Sequence, residues 1–233
     1  MSDNQLINQQ FGELISSLGL LYESKTNLKK MINNSDYTQT QPLEWNQAMS
    51  ILFSLKGKGE LKNLMLFSLG FFTACRVSDL RFITWEQVQH EELILTEKKT
   101  GKRRVIYFDQ LFCEFRDWVI SQYTESPTGY IFRYERKGAA NTPITVQAIN
   151  KRVKAVLNNF NVAGKKSSHV LRKTFARRIY MTDPSEHKLV LLSKILNHSS
   201  TSTTKLYIGL TQDNIKEAYL NLSSPNRKYK KAS

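Results

Sequence analysis

Cysteine is scarce: Cys75 and Cys113 are the two in 233 residues. Two cannot build a disulfide framework, and without clustered Cys/His spacing there is no structural zinc site, so a reducing cytosol is the expected compartment. Long apolar runs are also missing. The longest, Leu64 to Cys75, falls short of the roughly 18 residues that a membrane span requires. The opening MSDNQLINQQ has no basic stretch followed by an apolar one, so no secretory leader is expected. There are no internal repeats, and low complexity is confined to the Ser/Thr run at 199–204. Acid is sparse where base is dense: residues 98–233 carry 26 basic and 9 acidic side chains, net +17, whereas residues 1–97 carry 8 and 11, net −3.

What is present is the composition of a folded protein. Hydrophobic residues make up 40%, with 12 Phe, 10 Tyr and 3 Trp, which separates this chain from a disordered basic tail. The formal charge of +14 calls for a polyanionic partner that meets the C-terminal part. Such a face attracts phosphates by counterion release and binds them with strong salt dependence. On charge alone a merely soluble, Lys-rich surface also fits.

Residues 1–41 are polar, hold one amphipathic helix around Phe11 to Tyr22, and are too few for an independent core. From Pro42 the apolar spacing becomes helical, with Leu43, Trp45, Met49 and Leu52, then Leu61, Leu64, Phe67 and Phe71 after the breaker Gly57-Lys58-Gly59. Ser78 suits the N-cap of a short helix, and Trp85 to Val88 leads into extended structure. Leu93–Thr96 and Arg104–Phe108 read as strands around the basic turn Lys98-Lys99-Thr100-Gly101-Lys102. Tyr130 to Tyr134 is a candidate further strand. Helical spacing returns over Leu111–Tyr123, Val146–Phe160, Ser168–Thr182, Ser185–Asn197, Thr201–Leu210 and Gln212–Leu222, before a basic tail. The expected fold class is α+β, mainly α, with a small antiparallel sheet.

Four segments carry chemistry: Ala74-Cys75-Arg76-Val77-Ser78-Asp79-Leu80, the lysine-rich turn, His169-Val170-Leu171-Arg172, and Leu196-Asn197-His198 with Tyr207 nine residues beyond. Together they resemble the tyrosine recombinase (phage integrase) family, whose pattern is Arg with an acid three residues on, a hairpin Lys, His-x-x-Arg, and Leu-Gly-His with a later Tyr. Arg76, Lys99, His169, Arg172, His198 and Tyr207 fall on those catalytic positions in order. The resemblance covers residues 42–222 as the catalytic domain, with 1–41 as a short N-terminal segment in place of a full core-binding domain and 223–233 as a tail. It implies a site-specific recombinase that cuts and rejoins duplex DNA through a 3′-phosphotyrosyl intermediate, for integration, excision or inversion of a DNA segment. It also implies no cofactor and no metal, and a homo-oligomer, a tetramer on DNA, with an accessory DNA-bending or partner recombinase protein as a further expectation. A type IB topoisomerase, a catalytically silent DNA-binding module and a metal-free ribonuclease are the alternatives.

Each residue also has chemistry of its own. A phenol titrates near pH 10, so Tyr207 needs positive surroundings and a proton acceptor to attack phosphorus. A guanidinium keeps its charge and grips two phosphate oxygens at once, which suits Arg76 and Arg172 to a phosphodiester. His169 shares a helical face with Arg172, and the family resemblance gives Lys99 the protonation of the leaving 5′ oxygen. Lys98, Lys102 and Arg103 on the hairpin, with Lys165 and Lys166 ahead of His169, are the expected DNA-phosphate contacts. Taken singly, Arg76 pairs as readily with Asp79, His198 ends a helix, and Tyr207 is a core or rim residue. Nine residues of continuous helix would turn Tyr207 half a turn away from His198, so the helix has to break, and the 199–204 hydroxyls supply caps for a restart.

The chain departs from the family pattern at Asp79, where Glu is commoner, and at Asn197, where Gly is commoner; Cys75 is expected to be packed and inert. The short stretch before residue 42 is similar to that of the fimbrial phase-switch invertases, which lack the N-terminal clamp. The 211–222 helix is a candidate for docking on a neighbouring protomer, or on its own domain.

Overall fold

The computed structural model describes residues 40–135, 141–198 and 200–208. The expected helices at Phe11–Tyr22 and Gln212–Leu222, and the basic tail, lie outside these residues. The described elements are α1 (Trp45–Gly57), α2 (Leu61–Thr73), α3 (Val77–Leu80), α4 (Trp85–Val88), β1 (Glu92–Thr96), β2 (Arg103–Tyr107), α5 (Gln110–Ser121), α6 (Val146–Asn159), α7 (His169–Thr182), α8 (Glu186–Ile195) and α9 (Thr201–Tyr207). None of these helices is long and apolar enough to cross a membrane. The fold is α+β and mainly α, as the sequence implied.

Helix α2 is the axis. Its residues Leu64 to Phe71 are all buried, and α1, α5, α6 and α7 pack around it. Apolar spacing explains the arrangement: Phe112, Phe115 and Val119 on α5, and Ile149, Val153 and Val156 on α6, recur every three or four residues and fill one core. The buried hydroxyls of Ser68 and Thr73 are satisfied by the carbonyls of Leu64 and Leu69 one turn back, at 2.7 and 2.5 Å. A second apolar cluster, Ala74, Ala176, Leu189, Leu192, Leu196 and Ile208, joins α7, α8 and α9.

The two strands pair antiparallel, with Thr96 opposite Arg103 and Glu92 opposite Tyr107. Residues 97–102 form the tip, where Gly101 (φ +67) takes the left-handed turn that closes it. Three local expectations are corrected. Trp85–Val88 is helical, because Thr84 and Gln87 close a capping box over it. Ser78 lies inside α3, which starts without a side-chain cap after Arg76. Tyr130–Tyr134 makes isolated bridges, Thr84 to Tyr130 and Arg133 to Pro143, in place of a strand.

The helix break before Tyr207 is present. Helix α8 ends at Ile195, and Asn197 turns left-handed at φ 50. Helix α9 restarts under Ser200, whose Oγ accepts the Thr203 N–H at 3.3 Å.

Where α2 crosses α7, Gly70 lets the backbones close up: a Cβ there would lie 2.6 Å from Leu171 Cδ1. Because the clash reaches Leu171 Cβ at 2.7 Å as well as the side-chain tip, Gly70→Ala should cost about 2–3 kcal/mol through overpacking, more than the ~1 kcal/mol that alanine gains in helix propensity. Thermal unfolding should show a melting temperature below wild type; an unchanged or higher one would mean that the two helices are not in tight contact.

Candidate active site

Two helix C-termini meet here. Helix α2 ends in Ala74, held left-handed at φ 51, and α8 ends in Leu196 ahead of left-handed Asn197. Both turns leave carbonyl oxygens unpaired within their helices, at the negative end of each helix dipole. Three guanidiniums fill them. Arg172, buried on α7, donates through Nη1 to the Ala74 carbonyl and through Nη2 to that of Leu196. Arg76 Nη2 reaches the same Leu196 oxygen at 3.3 Å. Arg104, on β2, donates to the carbonyls of Thr73 at 2.7 Å and Ala74 at 3.5 Å. Burial lowers the Arg172 pKa, which the nearby Tyr207 opposes and the other arginines reinforce.

Left-handed backbone explains the residue at 197. Asn tolerates positive φ better than most side chains, and here it also bridges the break to the hairpin. Its Nδ2 donates to Glu97 Oε2 at 2.8 Å and Thr100 Oγ1 at 3.1 Å, and its Oδ1 accepts from Lys102 Nζ at 3.2 Å. Arg76 does not pair with Asp79. Its Nη1 lies 2.5 Å from Glu97 Oε2, while Asp79 Oδ1 accepts the backbone N–H of Lys98 at 3.1 Å and so anchors the start of the hairpin tip.

Tyr207 is packed among these groups. Its hydroxyl shares a 3.0 Å hydrogen bond with His169 Nδ1. The His198 ring meets it edge-on, centroids 4.9 Å apart. The Arg172 guanidinium and the Lys173 ammonium lie 5.9 and 5.5 Å from the ring centroid. Burial raises the Tyr207 pKa, against the opposing pull of Arg172 and Arg76, so the phenol is protonated at neutral pH. His198 is held by Thr204, whose hydroxyl lies 3.0 Å from Nδ1 and 2.7 Å from Ser193 Oγ. Burial and then the charges of Arg172 and Arg76 push its pKa down to about 4. Desolvation, then Lys173, Arg172 and Lys165, also lower His169, although part of this residue stays open to solvent.

The structure thus gathers Arg76, His169, Arg172, His198 and Tyr207. Lys99 is exposed at the hairpin tip, and Lys102 is the tip lysine whose Nζ donates to Asn197 beside His198. Lys98 packs its ammonium on Phe82, 3.3 Å from the ring centroid. Arg103 is exposed and lines, with Lys102 and His198, a cleft of about 450 Å³ between hairpin and α8. Lys165 is exposed and Lys166 half-buried on the stretch before α7. Cys75 is buried, its thiol pKa raised by that burial. His90 and His187 are exposed. Sequence reasoning missed Glu97, Arg104 and Lys173. For Arg104 and Lys173 the available signal was adjacency to motif residues; for Glu97 it was a lone acid opening a basic turn.

The model of the phage integrase family matches residues 39–214. The chain is 31% identical over 161 residues to the probable integrase/recombinase YoeC of Bacillus subtilis (strain 168), covering 68% of this chain and 83% of that one. It is 24% identical to the tyrosine recombinase XerC of Pediococcus pentosaceus, covering 76% of this chain and 59% of XerC, so it spans little more than half of that relative. Among solved structures it is similar to XerA recombinase, with TM-score 0.59 at 18% identity over 80% of this chain and 67% of that one. It is also similar to XerH recombinase bound to a difH substrate after cleavage, with TM-score 0.57 at 19% identity over 77% and 52%.

The depressed His198 pKa sets a pH response. An unfolded His titrates near 6.5, whereas the folded one does so at about 4. The unfolded state therefore binds more protons between these values, and the stability that comes from keeping the imidazole neutral is complete above about pH 6.5 and lost as pH falls towards 4. Melting temperature should drop over this window, and His198→Gln should flatten the drop. An equal slope in the variant would show that His198 is not the group responsible.

Proposed function

Because this chain belongs to the phage integrase family, we propose that it is a site-specific recombinase that cuts and rejoins duplex DNA with Tyr207 as nucleophile. The observation that carries the reading is the Tyr207 hydroxyl bonded to a His169 nitrogen at 3.0 Å, beside a buried guanidinium. His169 Nδ1 takes the phenol proton as Tyr207 attacks phosphorus. The P–O5′ bond breaks, a tyrosyl–phosphate bond forms at the 3′ side, and the departing 5′ oxygen takes a proton from the hairpin lysine, Lys99 by family resemblance. The free 5′ hydroxyl of a partner duplex then reverses the step.

Arg172 spends two of its five N–H donors on carbonyls, and those left over serve the phosphate oxygens, as do those of Arg76. Preorganised charge of this kind stabilises the extra negative charge of the pentavalent transition state. His198, its Nδ1 taken by Thr204, presents Nε2 to the same phosphate. The arginines supply the charge that a bound cation would otherwise bring, so the reaction proceeds without metal or cofactor. Lys98, Lys102, Arg103, Lys165 and Lys166 contact the DNA backbone. Four protomers assemble on two duplexes, in the cytoplasm on the nucleoid of a prokaryotic host or of its phage or mobile element, with an accessory or partner protein as required by the site.

The test uses nicked duplexes with randomised arms, followed by a denaturing gel for protein-linked DNA and sequencing of what is captured. Wild type should form the adduct in EDTA. Tyr207→Phe should bind DNA like wild type and form none, because one hydroxyl adds little to a contact dominated by phosphates. Arg172→Ala should slow adduct formation roughly a hundredfold or more. An adduct in Tyr207→Phe at the wild-type rate, or chelation that abolishes cleavage until Mg²⁺ is restored, would refute the mechanism.

A further inference from the structure

Glu97 has no part in the chemistry above, yet it is the point at which the site is tied together. Its side chain is 2% exposed. Oε2 meets Arg76 Nη1 at 2.5 Å, Asn197 Nδ2 at 2.8 Å and Thr100 Oγ1 at 2.9 Å, and Arg104 Nη1 lies 3.9 Å from Oε1. These partners come from the turn after α2, the break after α8, the hairpin tip and β2. A buried carboxylate is costly unless it is paired. Burial alone would raise the Glu97 pKa, but the Asn197, Arg76 and Thr100 donors outweigh it and hold it low, so the group is ionised.

Glu97 is itself fixed by the tip it opens. Its carbonyl accepts the N–H groups of Thr100 at 3.3 Å and Gly101 at 2.8 Å, and its own N–H donates to the Lys102 carbonyl at 3.0 Å. Arg76 is the less enclosed of the two phosphate-clamp arginines, its side chain 21% exposed against 4% for Arg172 as a residue. A long side chain at the edge of a site gives up rotamer freedom when held in one geometry, so it needs fixed partners to stay there. Among the described residues two contacts hold Arg76: the Leu196 carbonyl and the Glu97 carboxylate. The carboxylate also offsets one of three neighbouring guanidinium charges.

We propose that Glu97 is the positioning residue for Arg76, fixing that guanidinium at the scissile-phosphate site and coupling it to the lysine-bearing hairpin tip. The phosphate clamp and the source of the leaving-group proton are then one mechanical unit. This rests on the recombinase reading of the site, because positioning matters only if Arg76 meets a phosphate.

Single-turnover adduct formation on a captured nicked duplex tests it, with DNA affinity and melting temperature measured alongside. Glu97→Gln should slow cleavage about tenfold or more while Kd stays within about threefold. In an Arg76→Lys background the same change should cost less than about threefold, because the group it positions is already gone. The swap Glu97→Gln with Asn197→Asp returns a carboxylate to the cluster but not to the Oε2 position; it should recover melting temperature and remain slow. Glu97→Gln within threefold of wild type, an equal loss in both backgrounds, or full recovery of rate by the swap overturns the proposal. Failure of both Glu97 variants to fold would assign the residue to stability alone and overturn it too. Wild type and Tyr207→Phe on the same gel separate the two readings: no wild-type adduct sinks the recombinase assignment, whereas adduct with Glu97→Gln unimpaired sinks only the positioning role.

Discussion

The carbonyl oxygen of Leu196 accepts from both Arg172 and Arg76, and the rest of the site is arranged around what that sharing demands. Guanidiniums repel one another, and bringing three together in a half-buried space is unfavourable without compensating negative charge. A carboxylate for each would neutralise them and leave little attraction for a phosphate. Helix C-termini solve this, because their carbonyls carry only partial charge: enough to seat a guanidinium, too little to cancel it. The left-handed turns at Ala74 and Asn197 are the backbone cost of presenting those oxygens.

Helix α7 connects this electrostatic arrangement to packing. His169, Arg172 and Lys173 sit at i, i+3 and i+4, so one face of one helix meets both the carbonyls and the Tyr207 ring. The turn that carries Leu171 is pressed against Gly70, which fixes α7 relative to α2 and hence Arg172 relative to the Ala74 carbonyl. Leu43 N–H donates to Thr174 Oγ1 at 2.9 Å, and the Arg177–Glu44 pair at 2.8 Å ties the same helix to the start of α1. Displacement of α7 would move His169, Arg172 and the packing surface of Tyr207 together.

The helices were legible in the sequence because their apolar residues recur with a single period, and the hairpin because a glycine-bearing basic turn separates two β-prone runs. The break before Tyr207 was legible from rotation alone: nine residues of continuous helix cannot put two side chains on one face. Trp85–Val88 was misread as leading into extended structure because a four-residue helix has no period to detect; its capping box, Thr84 with Gln87, was the available sign. The acid that pairs with Arg76 was illegible. Asp79 is near in sequence and Glu97 is 21 positions away, and only the folding of the hairpin onto the α2 terminus brings the latter close. Asn197 stood out as a departure, but its three hydrogen bonds depend on a partner segment that no local pattern specifies.

Helix α9 is seven residues long, well below the length at which a helix sustains itself in water. Its order is borrowed from the contacts of Thr204 and Ile208 with α7 and α8. The position of Tyr207 is therefore set by tertiary contacts and not by the helical propensity of α9 alone. Side chains of α7 and α8, more than the backbone of α9 itself, keep the Tyr207 ring beside His169 and Arg172.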